Sequence, residues 1–262
     1  MDDPIQTNTF IKKIIDHRKN DIIGVVLTKG DRLTVSRNKS KIEYIFSLLF
    51  IMGFSQFIKN SIIVLNHKIK RKFCKIFPFI EDPTIIGYAK KHGIRTWIIN
   101  SPNDKNFLEE IKNLEIDVII NQSQSILKKE LLSIPKIGTI NRHNALLPKN
   151  RGRLTPFWVL YKGEKETGVS IHFVTEELDA GEIIVQERYE VTDSDNFNKI
   201  VQKNYALAHK AIIKALEILE KGNGKYLPNP NELATYNSIP SLKEAIEFRK
   251  KMIIRFLRKI FR

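Results

Sequence analysis

The chain has a single cysteine, Cys74, so it cannot close a disulfide within itself, and a scaffold stapled by bridges is excluded. This fits a reducing compartment, and the expected location is the cytoplasm. Glycine and proline are sparse, 12 and 10 among 262 residues, which excludes collagen-like and low-complexity chains. No apolar run reaches the roughly 18 to 20 residues that a membrane-spanning helix needs. The opening Met1-Asp2-Asp3-Pro4 carries acid where a secretory leader carries base, and no apolar core follows it. Acid is scarce overall: 29 Asp and Glu against 44 Lys and Arg leave +15, which favours anionic partners. At 42% hydrophobic, the chain can still bury one good core.

One stretch, Tyr44 to Ile58, is nearly all apolar, interrupted by Gly53, Ser55 and Gln56, and followed by His67, Lys68, Lys70, Arg71, Lys72 and Lys75. It reads as a buried helix. The alternative is an interfacial helix whose basic flank meets anionic headgroups at the inner face of a membrane. A second apolar and basic segment, Arg249 to Arg262, puts Ile253, Phe256, Leu257 and Ile260 on one helical face with Arg255, Arg258, Lys259 and Arg262 around it. It reads either as a helix packed on its own domain or as a further membrane contact.

From Asp21 onward, short branched runs alternate with helical patterns. Ile22 to Leu27, Thr96 to Ile99 and Val118 to Asn121 read as strands buried on both faces. Pro83 to His92 and Asp104 to Leu114 lie between them with apolar residues at helical spacing. Strands separated by helices imply crossover units, hence an α/β fold with a mainly parallel sheet and flanking helices. Further strands are expected at Gly138 to His143, Val169 to Val174 and Ile183 to Val191. A long helix should run from about Asn196 to Lys221, with Asp193, Ser194 and Asp195 as cap candidates. A Pro/Asn loop, a helix from near Ser241 and a basic tail complete the chain. Domain expectations are a catalytic domain over 1–205, with an apolar and basic insertion at about 34–82, and a helical extension over 206–262.

Polar residues suited to acyl chemistry gather between Ile140 and Ile184. Residues two apart in a strand share a face, so Asn141 and His143 project together while Arg142 points away. This delivers an amide donor and an imidazole beyond the carboxyl end of a strand, where ligands of open parallel sheets bind. Leu178-Asp179-Ala180-Gly181 adds a carboxylate in a tight loop, and a carboxylate near a histidine fixes its tautomer and raises its basicity. No Ser or Cys beside this histidine has a nucleophile's context, which points to direct transfer rather than a covalent intermediate. No His, Cys or carboxylate set has metal-ligand spacing.

The strings NRHNALLPKNRG and TGVSIHFVTEELDAGEII, with FLEEIKNLEIDVIINQSQSILKKELLSIPKIGTIN before them, resemble the folate-dependent formyltransferase superfamily over roughly Phe107 to Val191. Its pattern is Asn-x-His, a Leu-Leu-Pro loop and a later Asp-x-Gly. The resemblance implies a Rossmann-like formyltransferase fold and transfer of a formyl group from 10-formyltetrahydrofolate to an amine. Asn141 would donate to the oxyanion, His143 would stabilise it or relay the proton, and Asp179 would orient the histidine. It further implies folate contacts at Gln124, Ser125, Ile126 and Leu127, made mainly by backbone, and at Leu147 and Gly181. His172 matches a position that glycinamide ribonucleotide formyltransferases also fill with histidine. Family chains open with a strand that this one, with no apolar run before Phe10, looks to lack.

Among family members, those acting on transfer RNA carry an additional carboxyl-terminal barrel. Residues 223–262 read as a loop and a helix, so transfer RNA is disfavoured as a partner. The insertion and the compact tail look more like the members that formylate a nucleotide-linked amino sugar for surface glycans. The basic loop Lys149, Arg151 and Arg153 is expected to meet that acceptor's phosphates. Other readings are formylation of methionyl-tRNA or of another small amine, hydrolysis of the formyl donor, and a truncated, inactive basic adaptor.

Overall fold

The computed structural model of the chain describes residues 2–29 and 40–260. In chain order the elements are α1 (Thr7–Arg18), β1 (Gly24–Thr28), α2 (Lys41–Met52), α3 (Phe54–Ile76), α4 (Ile85–Lys91), β2 (Arg95–Ile99), α5 (Lys105–Lys112) and β3 (Val118–Asn121). They continue with α6 (Lys129–Leu132), β4 (Gly138–His143), β5 (Arg151–Gly152), α7 (Thr155–Lys162), β6 (Glu166–Phe173) and β7 (Ile183–Glu190). The last are α8 (Phe197–Lys221), β8 (Tyr236–Asn237) and α9 (Leu242–Ile260). These residues form two compact units, one of residues 2–29 and 58–140, the other of 40–57 and 141–260. The domain boundary expected at 205/206 falls inside α8.

In the first unit β1 and β2 pair in parallel, from Gly24 opposite Arg95 to Thr28 opposite Ile99, as crossover-connected strands do. Their core joins Ile15 of α1, Leu27 of β1, Ile85, Ile86 and Ala89 of α4, and Ile94. The helices start where side chains can take up orphan backbone donors: Thr84 Oγ1 accepts from the Gly87 N–H (3.1 Å) and Asp104 Oδ1 from the Phe107 N–H (3.1 Å).

In the second unit β6 and β7 form an antiparallel pair that shifts register between Ile171 and His172. The short β5 and β8 pair in parallel. The core gathers Ile51 of α2, Phe157 and Leu160 of α7, Ile200 of α8, and Ala245 and Phe248 of α9. The cap of α8 is Asn196, whose Oδ1 accepts from the Lys199 N–H (3.0 Å), not the expected Asp193, Ser194 or Asp195. Asp195 is spent differently, holding Lys203 Nζ (2.8 Å) and the Thr192 N–H (2.9 Å).

The apolar stretch read as one helix is two. Gly53, at φ 85°, a conformation glycine adopts without strain, separates α2 from α3. α2 packs into the unit through Tyr44, Ser47 and Ile51 while Ile42 and Phe46 stay exposed, so it is buried on one face only and not throughout as expected, and Arg249 of α9 donates from Nε to the Phe50 carbonyl (2.7 Å) at its carboxyl end. The basic flank falls on α3, which has no buried residue. Of the apolar face expected near the carboxyl terminus, α9 presents Ile253 and Leu257, both exposed. The side chains of Phe256, Arg258, Lys259 and Ile260, and Arg262 as a whole, lie outside the described residues. No helix among the described residues is long and apolar enough to cross a membrane.

Candidate active site

All three residues expected to carry the chemistry lie in the second unit. Strand alternation puts Asn141 and His143 on one face of β4, with Asn141 half-buried and His143 buried at the strand's end. Arg142 points away as expected: its guanidinium lies 4.2 Å from the Tyr205 ring centroid and donates to Asn144 Oδ1 (2.6 Å). Asp179 arrives from the loop between β6 and β7, at φ 50°, a left-handed conformation that Asp tolerates better than most residues. Its Oδ2 accepts from the Gly152 N–H (2.8 Å) and stands 3.5 Å from His143 Nδ1.

The other nitrogen of His143 settles the tautomer. Nε2 lies 2.8 Å from the Asn150 carbonyl oxygen, and a carbonyl only accepts, so Nε2 carries a proton. Nδ1 of the neutral ring is therefore a lone pair, turned toward Asp179. This is the arrangement of a base whose conjugate acid has its counter-ion waiting.

Sequence reasoning did not see the part Asn150 plays. It is buried at φ 59°, and every polar group of its own is engaged. Its N–H donates to Thr235 Oγ1 (2.9 Å), its Nδ2 to the Glu164 carboxylate (2.9 and 3.0 Å), and its Oδ1 accepts from Lys162 Nζ (3.1 Å) and Asn237 Nδ2 (2.7 Å). The effect is to aim one main-chain carbonyl at His143. An asparagine inside a Pro- and Gly-flanked loop, where left-handed backbone is common, was the available signal.

The basic loop needs a correction. Arg151 is fully buried, and its guanidinium is taken by Asn231 Oδ1 (2.7 Å), the Tyr236 hydroxyl (3.0 Å) and both the carbonyl (2.9 Å) and Oδ1 (3.0 Å) of Asn229. With both terminal nitrogens engaged and the side chain buried, this residue does not present its fork to a phosphate in solvent; it ties the 229–236 segment to β5. Asn229 in turn donates from Nδ2 to the Asp179 carbonyl (2.8 Å) and the Gly181 carbonyl (2.9 Å), bracing the carboxylate loop. Of the other two, Lys149 is exposed and Arg153 half-buried.

Leu147 is buried, its N–H on Ser170 Oγ (3.1 Å) and its carbonyl accepting from Gln186 Nε2 (2.9 Å). Gly181 is packed so closely that a Cβ would stand 2.1 Å from the Phe173 carbonyl oxygen. In the first unit, residues 124–127 follow β3 as irregular chain, with Ile126 exposed and Leu127 buried. Asn103 Nδ2 donates to the Ile126 carbonyl (2.8 Å) and Asn103 Oδ1 accepts from the Lys128 N–H (2.9 Å), so this turn is held at both sides.

His172 stands beside the pair. Its Nδ1 donates to the Phe173 carbonyl (2.7 Å), and its Nε2, 3.7 Å from Asp179 Oδ1, is buried without a hydrogen bond within the described residues. Burial, with the His143 charge next in weight, pushes its pKa from 6.5 down to about 4. The unfolded chain thus takes up this proton near 6.5 and the folded chain only near 4. Stability present above pH 6.5 is lost as pH falls through that window, by roughly 3 kcal/mol in all. Urea titrations between pH 7 and pH 4 should show that slope in the parent and a shallower one in His172→Phe; parallel slopes would refute it.

Residues 80–216 match the profile of the formyl transferase family. A methionyl-tRNA formyltransferase of Fusobacterium nucleatum is 33% identical over 178 residues, 64% of this chain and 57% of that protein. One from Prochlorococcus marinus is 39% identical over 124 residues, 47% and 38% of the two chains. The chain thus spans about half the length of these curated relatives. In fold, the chain is similar to glycinamide ribonucleotide transformylase 1 from Symbiobacterium toebii, with a TM-score of 0.51 and 16% identity over 80% of this chain and 95% of that one.

Proposed function

Because the chain belongs to the formyl transferase family, we propose that it moves a formyl group from 10-formyltetrahydrofolate to the amine of an anionic acceptor, a nucleotide-linked amino sugar. The observation that carries this reading is the placement of the His143 ring, with Nε2 2.8 Å from the Asn150 carbonyl oxygen and Nδ1 3.5 Å from Asp179 Oδ2.

The donor supplies an electrophilic formyl carbon. Attack by the amine leaves negative charge on the formyl oxygen and positive charge on nitrogen, and the chain has a group for each. The Asn141 amide donates to the oxygen, a contribution worth about 2.7 to 4 kcal/mol where such donors have been removed. His143 Nδ1 takes the proton from nitrogen. The imidazolium so formed gains a hydrogen-bonded counter-ion in Asp179 Oδ2, which the Gly152 N–H holds in place, and as the bond from the formyl carbon to N10 breaks that proton passes on to N10, so that neutral tetrahydrofolate leaves and His143 is restored. The residues fit a polar ligand at this point, since the buried Nε2 of His172 lacks a partner of its own beside Asp179. Leu147 and Gly181 are the groups of this unit that we assign to the folate. Lys149, which is exposed, is the group we assign to the acceptor's phosphates.

A second reading, methionyl-tRNA as acceptor, is favoured by the names of the relatives that are 33 and 39% identical. The purified chain, given 10-formyltetrahydrofolate, should release tetrahydrofolate with amino sugars on a nucleoside diphosphate and not with methionyl-tRNA. The reverse preference would establish the second reading. Turnover with no acceptor, yielding formate, would make the enzyme a hydrolase.

A further inference from the structure

The outward face of α3 is not used by anything described so far. At 3.6 residues per turn, Ile58, Ile62, Leu65, Ile69, Phe73 and Ile76 fall within a sector of about 100° on its surface. All six are exposed, Ile62 to 51%, Leu65 to 56% and Ile76 to 69%. The opposite side carries the half-buried Asn60, Ile63, Val64 and His67. There His67 Nε2 meets Asp2 Oδ2 at 2.6 Å, and Asp2 Oδ1 accepts from the Ile85 N–H at the start of α4 (3.4 Å). The first unit thus holds the helix by its back and turns the apolar stripe away. Just past its end Phe77 and Phe79 are also exposed, Phe79 to 85%, with Phe73 stacked on Phe77.

Charge narrows what covers this stripe. α3 contains Lys59, Lys68, Lys70, Arg71, Lys72 and Lys75 and no Asp or Glu. On the helical wheel Lys68 and Lys75 border one side of the stripe, Lys59 and Lys70 the other, and Lys72 lies at its edge. A second copy of the same helix would bring two wholly cationic surfaces together. A nucleic acid would engage the lysines and leave the stripe in water. An anionic bilayer satisfies both faces: the stripe enters the headgroup and acyl boundary while the flanking ammonium groups reach lipid phosphates.

We propose that α3 is an interfacial helix that docks this protein on anionic membranes. The proposal is independent of the acceptor and of the transfer chemistry. The test uses the full chain, with sucrose-loaded vesicles of phosphatidylcholine alone or with about one-third phosphatidylglycerol. The protein should pellet with the anionic vesicles and not with the neutral ones. Lys68→Gln with Lys72→Gln should weaken partitioning about 25-fold, from roughly fivefold for each charge near such a surface. Ile62→Gln with Ile69→Gln should weaken it at least about tenfold while leaving charge unchanged. These four side chains are exposed, so circular dichroism and melting should stay as in the parent. Absence from both pellets overturns the proposal, as does binding that the isoleucine pair leaves unaltered. So does a dimer in light scattering that the isoleucine pair abolishes without any vesicle binding.

Discussion

Asp179→Asn is expected to lower kcat for formyl transfer by about 10²–10⁴-fold with little change in KM. Asparagine accepts the left-handed backbone at this position, and its Oδ1 can still receive the Gly152 N–H, so the loop should keep its shape. What is lost is the charge that steadies a protonated His143. An amide nitrogen turned toward Nδ1 would also donate to the lone pair that has to receive the proton. His143→Ala removes the base outright and should fall into the same range. Because the two groups act as one unit, the double variant should cost little more than either alone. Stopped reactions following tetrahydrofolate release, with circular dichroism as the folding control, give the answer. A properly folded Asp179→Asn protein with the parent's kcat would end the assignment.

The second large effect is on stability. Arg151→Met should destabilise the second unit by about 3 kcal/mol, because a fully buried guanidinium with four bonds is replaced by a side chain that makes none. Arg151→Lys should rescue little of it: a point ammonium cannot span Asn229, Asn231 and Tyr236 at once. Both variants should also lose activity under conditions where they remain folded. Asn229 links the guanidinium to the Asp179 and Gly181 carbonyls, so its release loosens the carboxylate loop. Denaturant midpoints read the first effect, and kcat measured well below the melting temperature reads the second. A substituted protein with an unchanged midpoint would return Arg151 to the solvent-facing role that its place in a basic loop suggests.

Legibility in the sequence followed the range of the forces involved. The strand Val118–Asn121 is legible as a short branched run, though it is half-buried throughout and not buried on both faces as expected, and the pairing of Asn141 with His143 on one face comes from alternation along a single strand, which needs no tertiary information. The carboxylate loop was legible because Asp-x-Gly carries its own turn chemistry. Arg151 was misread because composition shows a cation beside a site and cannot show Asn229, Asn231 and Tyr236 closing over it from 78 to 85 residues away. The break at Gly53 was hidden by the apolar residues on either side of it, which look continuous until one helix buries a face and the next buries no residue. The cap of α8 was missed by one residue, within the ordinary uncertainty of helix ends.

The atom that holds the proton-bearing nitrogen of the histidine belongs to the peptide chain rather than to any side chain. No amino-acid replacement deletes a main-chain oxygen, so a survey that trims residues one at a time would pass over it. At Asn150 such a survey would register only the loss of the supports around it. Glycine there, able to hold the same backbone angles, should keep the oxygen nearly in place and report the difference between losing a brace and losing the contact it braces.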